Sequence, residues 1–256
     1  MEAALYGPTG FFVATSPAGH FRTSAHASPA FAHALLRLVA AVDDRLGNPA
    51  ALDLVDVGAG RGELLTALVG LAPPALADRL RPLAVEKARN PADLPAGIGW
   101  TDALPAAVTG VLLATEWLDN VPLDVVAPDA DGAPRYLLVD PATGAETLGG
   151  PVDAADAAWL ARWWPLAAPG LRAEIGRPRD EAWAAAVATV SRGLALAVDY
   201  GHLRDERPAD GTLTGFRGGR QVDAVPDGSR DVTAHVAFDS VAEAGGRPYT
   251  LTTQRE

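Results

Sequence analysis

Residues 52–62 read LDLVDVGAGRG, and few architectures accommodate that run. Its first six residues are mostly aliphatic, as in a strand buried on both faces. Three glycines at alternating positions, Gly58, Gly60 and Gly62, then end the strand. Leu64, Leu65 and Leu68 follow at helical spacing, so a helix begins close to the last glycine. Strand, glycine turn and helix together direct backbone N–H groups and a helix N-terminus at a ligand. The spacing is G-x-G-x-G, whereas the dinucleotide fingerprint is G-x-G-x-x-G. An NAD(P)-dependent oxidoreductase is therefore the disfavoured reading of this loop.

With 256 residues, 48% of them hydrophobic, the chain can bury a large core. Its net charge of −11 argues against nucleic-acid binding, which needs basic patches, and is compatible with a basic protein or peptide partner. No apolar run reaches the roughly 20 residues of a spanning helix. Residues 1–12 lack the basic region and hydrophobic stretch of a secretory signal. The expected setting is the cytoplasm, away from the membrane. Cysteine is absent, which removes disulfides, thiolate zinc sites and thiol nucleophiles together. Asp129-Ala130-Asp131-Gly132 begins like a calcium loop, but the later acid is lacking and Asp-Gly reads as a hairpin turn. No metal is expected.

Ser28 as N-cap and Pro29 at the first helical position open a helix whose buried face is Phe31, Leu35, Leu38, Val42 and Leu46. Further strands are expected over 81–86, 98–101 and 110–115, giving parallel βαβ units with right-handed crossovers. In a doubly wound sheet the ligand crevice lies beyond the carboxyl ends of the strands. Asp56, Glu86 and Glu116 all fall near such ends, around the glycines. An acid at the end of the second strand can accept both ribose hydroxyls of a nucleoside. The plain alternative for Glu86 is a surface glutamate beside Lys87 and Arg89, and the glycine loop favours the ribose reading. Asp102 either approaches the base or caps a turn.

Residues 123–177 interrupt the alternation. Strands are expected at 123–127, 136–140 and 172–175, with a helix from the Asp153 cap to Trp164. Trp159, Trp163 and Trp164 read as core or interface packing. A helix over 178–192, ended by Gly193, leads to a strand over 194–198 and then Asp199-Tyr200-Gly201-His202. Residues 203–230 read as a long loop, 238–244 as a short helix and 249–253 as a last strand. The expected organisation is an N-terminal arm (1–27), a core (28–122 and 178–256) and an inserted α+β subdomain (123–177) bearing a substrate or partner surface.

Five segments carry a resemblance: HFRTSAHASPAF (20–31), LVDVGAGRGEL (54–64), TEWLDNVP (115–122), LAVDYGH (196–202) and DVTAHVAF (231–238). Together they resemble the MidA-like group of S-adenosylmethionine (SAM) dependent methyltransferases, which includes the mitochondrial complex I assembly methyltransferase. The resemblance implies a Rossmann-like class I fold, a mostly parallel doubly wound sheet of seven strands with an inserted subdomain. It implies SAM as cofactor, held by Asp56, Gly58, Gly60, Glu86, Asp102 and Glu116, with Gly62 and Thr115 in the same motifs. In that family the N-terminal arm folds over the cofactor, which adds Thr23 and Ser24 as contacts. A protein substrate, with arginine as the acceptor of the mitochondrial member, is likewise an implication of the resemblance.

The chain departs from the family at Thr115, where Asn is usual, and at Phe216-Arg217-Gly218-Gly219, where a histidine usually lies near the arginine. Family members also continue past the Thr252-Thr253-Gln254 stretch. These departures motivate an alternative, a SAM-binding assembly factor with little or no turnover, and a homodimer as one way to cover an open sheet edge. Methyl transfer needs positioning and a group that orients or deprotonates the nucleophile. A guanidinium acceptor would be gripped by carboxylates, which selects Glu116 and Asp119. His235 and Asp199 come second, and the plain reading of His235 is a buried histidine bonded to backbone.

Overall fold

The computed structural model describes residues 1–14, 29–166, 168 and 170–254. Thr23, Ser24 and the Ser28 cap lie outside them. The chain forms two compact units. One comprises Arg22–Trp117 and Ala185–Asp199, the other Met1–Phe21, Leu118–Ala184 and Tyr200–Glu256.

The first unit is built on five strands, Leu52–Val57, Leu80–Val85, Gly99–Thr101, Val108–Thr115 and Val190–Val198. All neighbours are parallel, and the strand containing Leu52 lies between those containing Leu83 and Leu112. The order runs outward from Leu52–Val57 in both directions, so the chain reverses its winding between that strand and Val108–Thr115. The helix Pro29–Arg45 supplies Leu35, Val39 and Val42, and the helix Glu63–Leu71 supplies Leu64, Leu65 and Leu68. They meet Leu52, Leu54, Val111 and Leu113 in one core, with Leu52, Leu54 and Leu113 fully buried. Parallel strands covered this way read as continuous aliphatic runs, which is why they were legible. At the amino end, Arg79 clamps Asp43 with two hydrogen bonds of 2.7 and 2.6 Å and reaches the Pro49 carbonyl at 2.9 Å.

The second unit contains a four-stranded antiparallel sheet of Val125–Pro128, Pro134–Val139, Glu146–Pro151 and Ala173–Glu174. The helix Ala154–Trp163 is capped by Asp153, whose Oδ1 accepts the Asp156 N–H at 2.8 Å. Trp159 and Trp164 are buried with Val126, Leu160 and Ile175, so these tryptophans are core residues. The turn at Asp129 is a hairpin turn, with Oδ1 accepting the N–H groups of Asp131 and Ala133. Two short helices, Glu2–Tyr6 and Phe11–Ala14, bury Leu5 and Phe11 against Val232. Among the described residues no helix is long and apolar enough to cross a membrane.

Four expectations are corrected. The parallel sheet has five strands among the described residues, not seven. Of the two segments left to extend it, Asp231–Thr233 joins Thr214–Arg217 and Arg220–Val222 in a separate sheet, and residues 249–253 form no strand. Tyr249 and Leu251 on that last segment are exposed. The supposed loop 203–230 contains a hairpin turned by Gly218 and Gly219, both with positive φ. Gly193 does not end a helix. The helix is Arg177–Thr189, and Gly193 lies inside the strand Val190–Val198 opposite Gly110.

Candidate functional site

Within the first unit, each parallel strand has an acidic residue within one position of its carboxyl end: Asp56, Glu86, Asp102, Glu116 and Asp199. One edge of the sheet thus gathers five acidic residues around the glycine turn. That edge is where a doubly wound sheet takes its ligand.

Gly58, Gly60 and Gly62 have φ of +73°, +59° and +79°, a region that side chains rarely tolerate. The turn they form is closed by hydrogen bonds. Gly58 N–H donates to the Val85 carbonyl at 2.9 Å, and Gly62 N–H to the Ala59 carbonyl at 2.8 Å. Gly60 N–H donates to Glu86 Oε2 at 3.0 Å, while Ala88 N–H donates to Oε1 at 3.0 Å. Each carboxylate oxygen accepts two hydrogen bonds, so Glu86 retains one acceptor position on each oxygen. A pair of vicinal hydroxyls matches that remaining capacity. Glu63 Oε2 receives the Arg61 N–H at 3.0 Å, and Arg61 pairs with Asp93 at 2.7 Å on the surface.

Asp56 is 2% exposed. Burial, reinforced by the nearby Glu86 and Glu63 carboxylates, pushes its carboxyl up to about 8. At neutral pH it mostly keeps its proton and can donate a hydrogen bond as well as accept one. Thr115 closes its strand half-buried, and Asp102 is exposed beyond the third. Glu116 has φ of +51°, one of two positive-φ non-glycine residues among the described residues. Its N–H donates to the Val198 carbonyl at 2.8 Å. The left-handed turn there directs Trp117 onto the glycine turn. A Cβ placed on Gly58 would come within 2.6 Å of Trp117 Cδ1 and 2.9 Å of its Cβ and Cγ.

Asp119 and His235, the other residues singled out for acceptor chemistry, belong to the second unit. Asp119 is 7% exposed, and its Oδ2 accepts the Thr233 hydroxyl at 2.8 Å. Asn120 Nδ2 donates to Asp231 Oδ1 at 2.9 Å. His235 is exposed and stacks at 6.3 Å on Tyr200, and its N–H donates to Thr212 Oγ1 at 2.8 Å. Desolvation lowers the His235 pKa, partly opposed by the Glu174 carboxylate. The first unit therefore holds Asp56, the glycines, Glu86, Asp102, Thr115, Glu116 and Asp199, and the second holds Asp119 and His235.

Three residues escaped the sequence reading. Arg179, 1% exposed, donates to four backbone carbonyls: Val121 at 3.1 Å, Ala234 at 2.8 Å, His235 at 2.9 Å and Asp119 at 2.6 Å. It fastens the two acceptor-motif segments of its unit by their backbones. His202 is buried, its Nδ1 2.6 Å from Arg207 Nη1, and burial with that cation lowers its pKa to about 4. Nδ1 must then accept, which fixes the neutral tautomer with its hydrogen on Nε2. Trp117 is the third. A glycine that must leave room was its one sequence trace.

A family model described as "Putative S-adenosyl-L-methionine-dependent methyltransferase" matches residues 34–255. Two crystal structures from Burkholderia thailandensis are similar to the chain. One, described as a COG1565 superfamily member and likely methyl transferase bound to S-adenosyl-homocysteine, is 30% identical with a TM-score of 0.79, covering 96% of this chain and 70% of that one. The other is the native structure of an uncharacterized protein of the same superfamily. It is 31% identical with a TM-score of 0.75, covering 96% of this chain and 68% of that one. No curated protein matches.

Proposed function

We propose that this protein, which belongs to the S-adenosyl-L-methionine-dependent methyltransferase family whose model spans it, methylates a protein substrate at arginine, as a MidA-like enzyme. Its cofactor is SAM. The residues present fit that group. Glu86 keeps two acceptor positions suited to ribose hydroxyls, and the three left-handed glycines bring backbone close to the ligand. When bound, the cofactor supplies an electrophilic methyl on a sulfonium centre. The chain's own residues bind and orient it, orient the acceptor and take up the acceptor's proton. Glu116, at the end of the strand beside Gly58, is assigned that proton, and Asp199 lies at the next strand end.

The observation that carries the reading is the set of five acidic residues at one sheet edge, Asp56 among them as a buried acid that can donate a hydrogen bond. A sulfonium and a guanidinium are both cations, and both are stabilised by such an edge. The acidic balance of the whole chain, −11, supports a basic partner. A second reading, a SAM-binding assembly factor without turnover, draws support from Asp119, whose carboxylate is buried and bonded to Thr233. Incubation of the protein with methyl-labelled SAM and a lysate separates the two. A labelled band, identified by mass spectrometry as methylarginine, supports the enzyme; absence of any labelled band alongside measurable SAM binding favours the assembly factor.

A further inference from the structure

We propose that Trp117 is a cofactor-contacting residue that discriminates SAM from S-adenosylhomocysteine through the face of its indole. The inference rests on the SAM reading above.

Trp117 follows the strand Val108–Thr115, and Gly58 follows its parallel neighbour Leu52–Val57. The winding of the sheet reverses between these two strands, so the crevice opens between their carboxyl ends. The indole lies there, against the glycine that a side chain could not replace without meeting it at 2.6 Å. The contact is built in rather than incidental. Glu116 adopts a left-handed backbone to turn the chain, and unusual backbone of that kind in a non-glycine residue clusters at ligand sites.

The order of groups along the ligand follows the order of the strands. Glu86, at the end of Leu80–Val85, is the ribose acceptor, and Asp102 lies one strand farther out on the side of the base. The sulfur is attached to the ribose on the side away from the base. One strand spacing, about 4.8 Å, in that direction leads from Glu86 to the Gly58 turn, against which Trp117 packs from the next strand along. SAM carries a sulfonium cation there, whereas S-adenosylhomocysteine carries a neutral thioether. A cation against the face of tryptophan gains electrostatic attraction that a neutral group does not, and tryptophan is the strongest of the aromatic side chains in this respect.

Isothermal titration calorimetry on the full chain tests this with both ligands, using the wild type, Trp117→Leu and Trp117→Phe. Trp117→Leu is expected to weaken SAM by about tenfold more than it weakens S-adenosylhomocysteine. Trp117→Phe, which keeps a ring, is expected to shift the same ratio by about threefold. A ratio unchanged in both variants overturns the proposal, whether the two affinities fall together, rise together or stay put. A joint rise would mean that the indole blocks the crevice. Thermal melts report folding, and if Trp117→Leu fails to fold, the Phe variant alone decides by the same criterion. Wild-type protein that binds neither ligand would overturn the SAM reading and this inference together, whereas binding of both without a response to Trp117 overturns only the latter.

Discussion

Glu86 receives the N–H of Gly60 at 3.0 Å, tying the end of one strand to the glycine turn of its neighbour. The same carboxylate is the ribose acceptor in the proposed complex, so one side chain both shapes the loop and meets the ligand. Glu86→Ala is expected to weaken S-adenosylhomocysteine binding at least tenfold, since hydrogen bonds to a charged group contribute about 1.5–3 kcal/mol each. Glu86→Gln, which keeps one acceptor oxygen, should fall between wild type and alanine. Calorimetric titration of the three proteins checks the ranking.

Gly58 and Trp117 should behave as a coupled pair. Gly58→Ala is expected to destabilise the protein by about 1–3 kcal/mol, because it combines a positive φ with overpacking against the indole. Trp117→Leu removes the indole but not the backbone strain. The double variant should therefore recover about 0.5 kcal/mol or more relative to the sum of the single changes. Urea denaturation of the four proteins supplies the cycle.

Asp56 makes stability fall as pH rises. Its folded pKa, about 8, lies above the ordinary 3.8, so the native state holds a proton that the unfolded state releases. The stabilising effect is complete below pH 4 and is lost as pH climbs through 8. Asp56→Asn cannot ionise. Relative to wild type, that variant should gain stability with increasing pH across this window, by at most about 1.4 kcal/mol per unit. Denaturation at pH 5, 7 and 9 reads the difference directly.

Arg179 is an anchor whose loss leaves several buried carbonyls without their donor. Arg179→Met is expected to cost about 3–5 kcal/mol, lowering the melting temperature by roughly 5–15 °C. Arg179→Lys should recover only part of this, because an ammonium lacks the planar fork that reaches four carbonyls. Differential scanning calorimetry of both variants tests the order.

The parallel strands and the glycine turn could be read from the sequence because burial on both faces writes itself as aliphatic runs. The strand Leu52–Val57 has the same limits in sequence and structure. Short strands on the second unit left no such record. Thr214–Arg217 and Arg220–Val222 are three or four residues long and carry arginines, so neither length nor alternation marks them. Glu146–Pro151 contains two glycines and is largely exposed. Glycine misled in another way at 193, where it signals close strand approach rather than a helix end. The acids at the strand ends were visible as residues. The contact of Trp117 with Gly58 depends on one left-handed φ at Glu116, which no pattern of residue types encodes.

Asp53, Gly110 and Gly193 lie at matching register on three adjacent strands, forming a line across the parallel sheet. A Cβ on Gly110 would lie 2.1 Å from the Asp53 carbonyl oxygen, and one on Gly193 1.8 Å from that of Gly110. Mutational tolerance should therefore collapse along this line irrespective of selection for methyl transfer. In a deep mutational scan scored for abundance alone, Gly110 and Gly193 should reject every side chain, while Asp199 accepts many. Comparing that scan with one scored for SAM binding would sort the glycines that build the sheet from those that serve the cofactor.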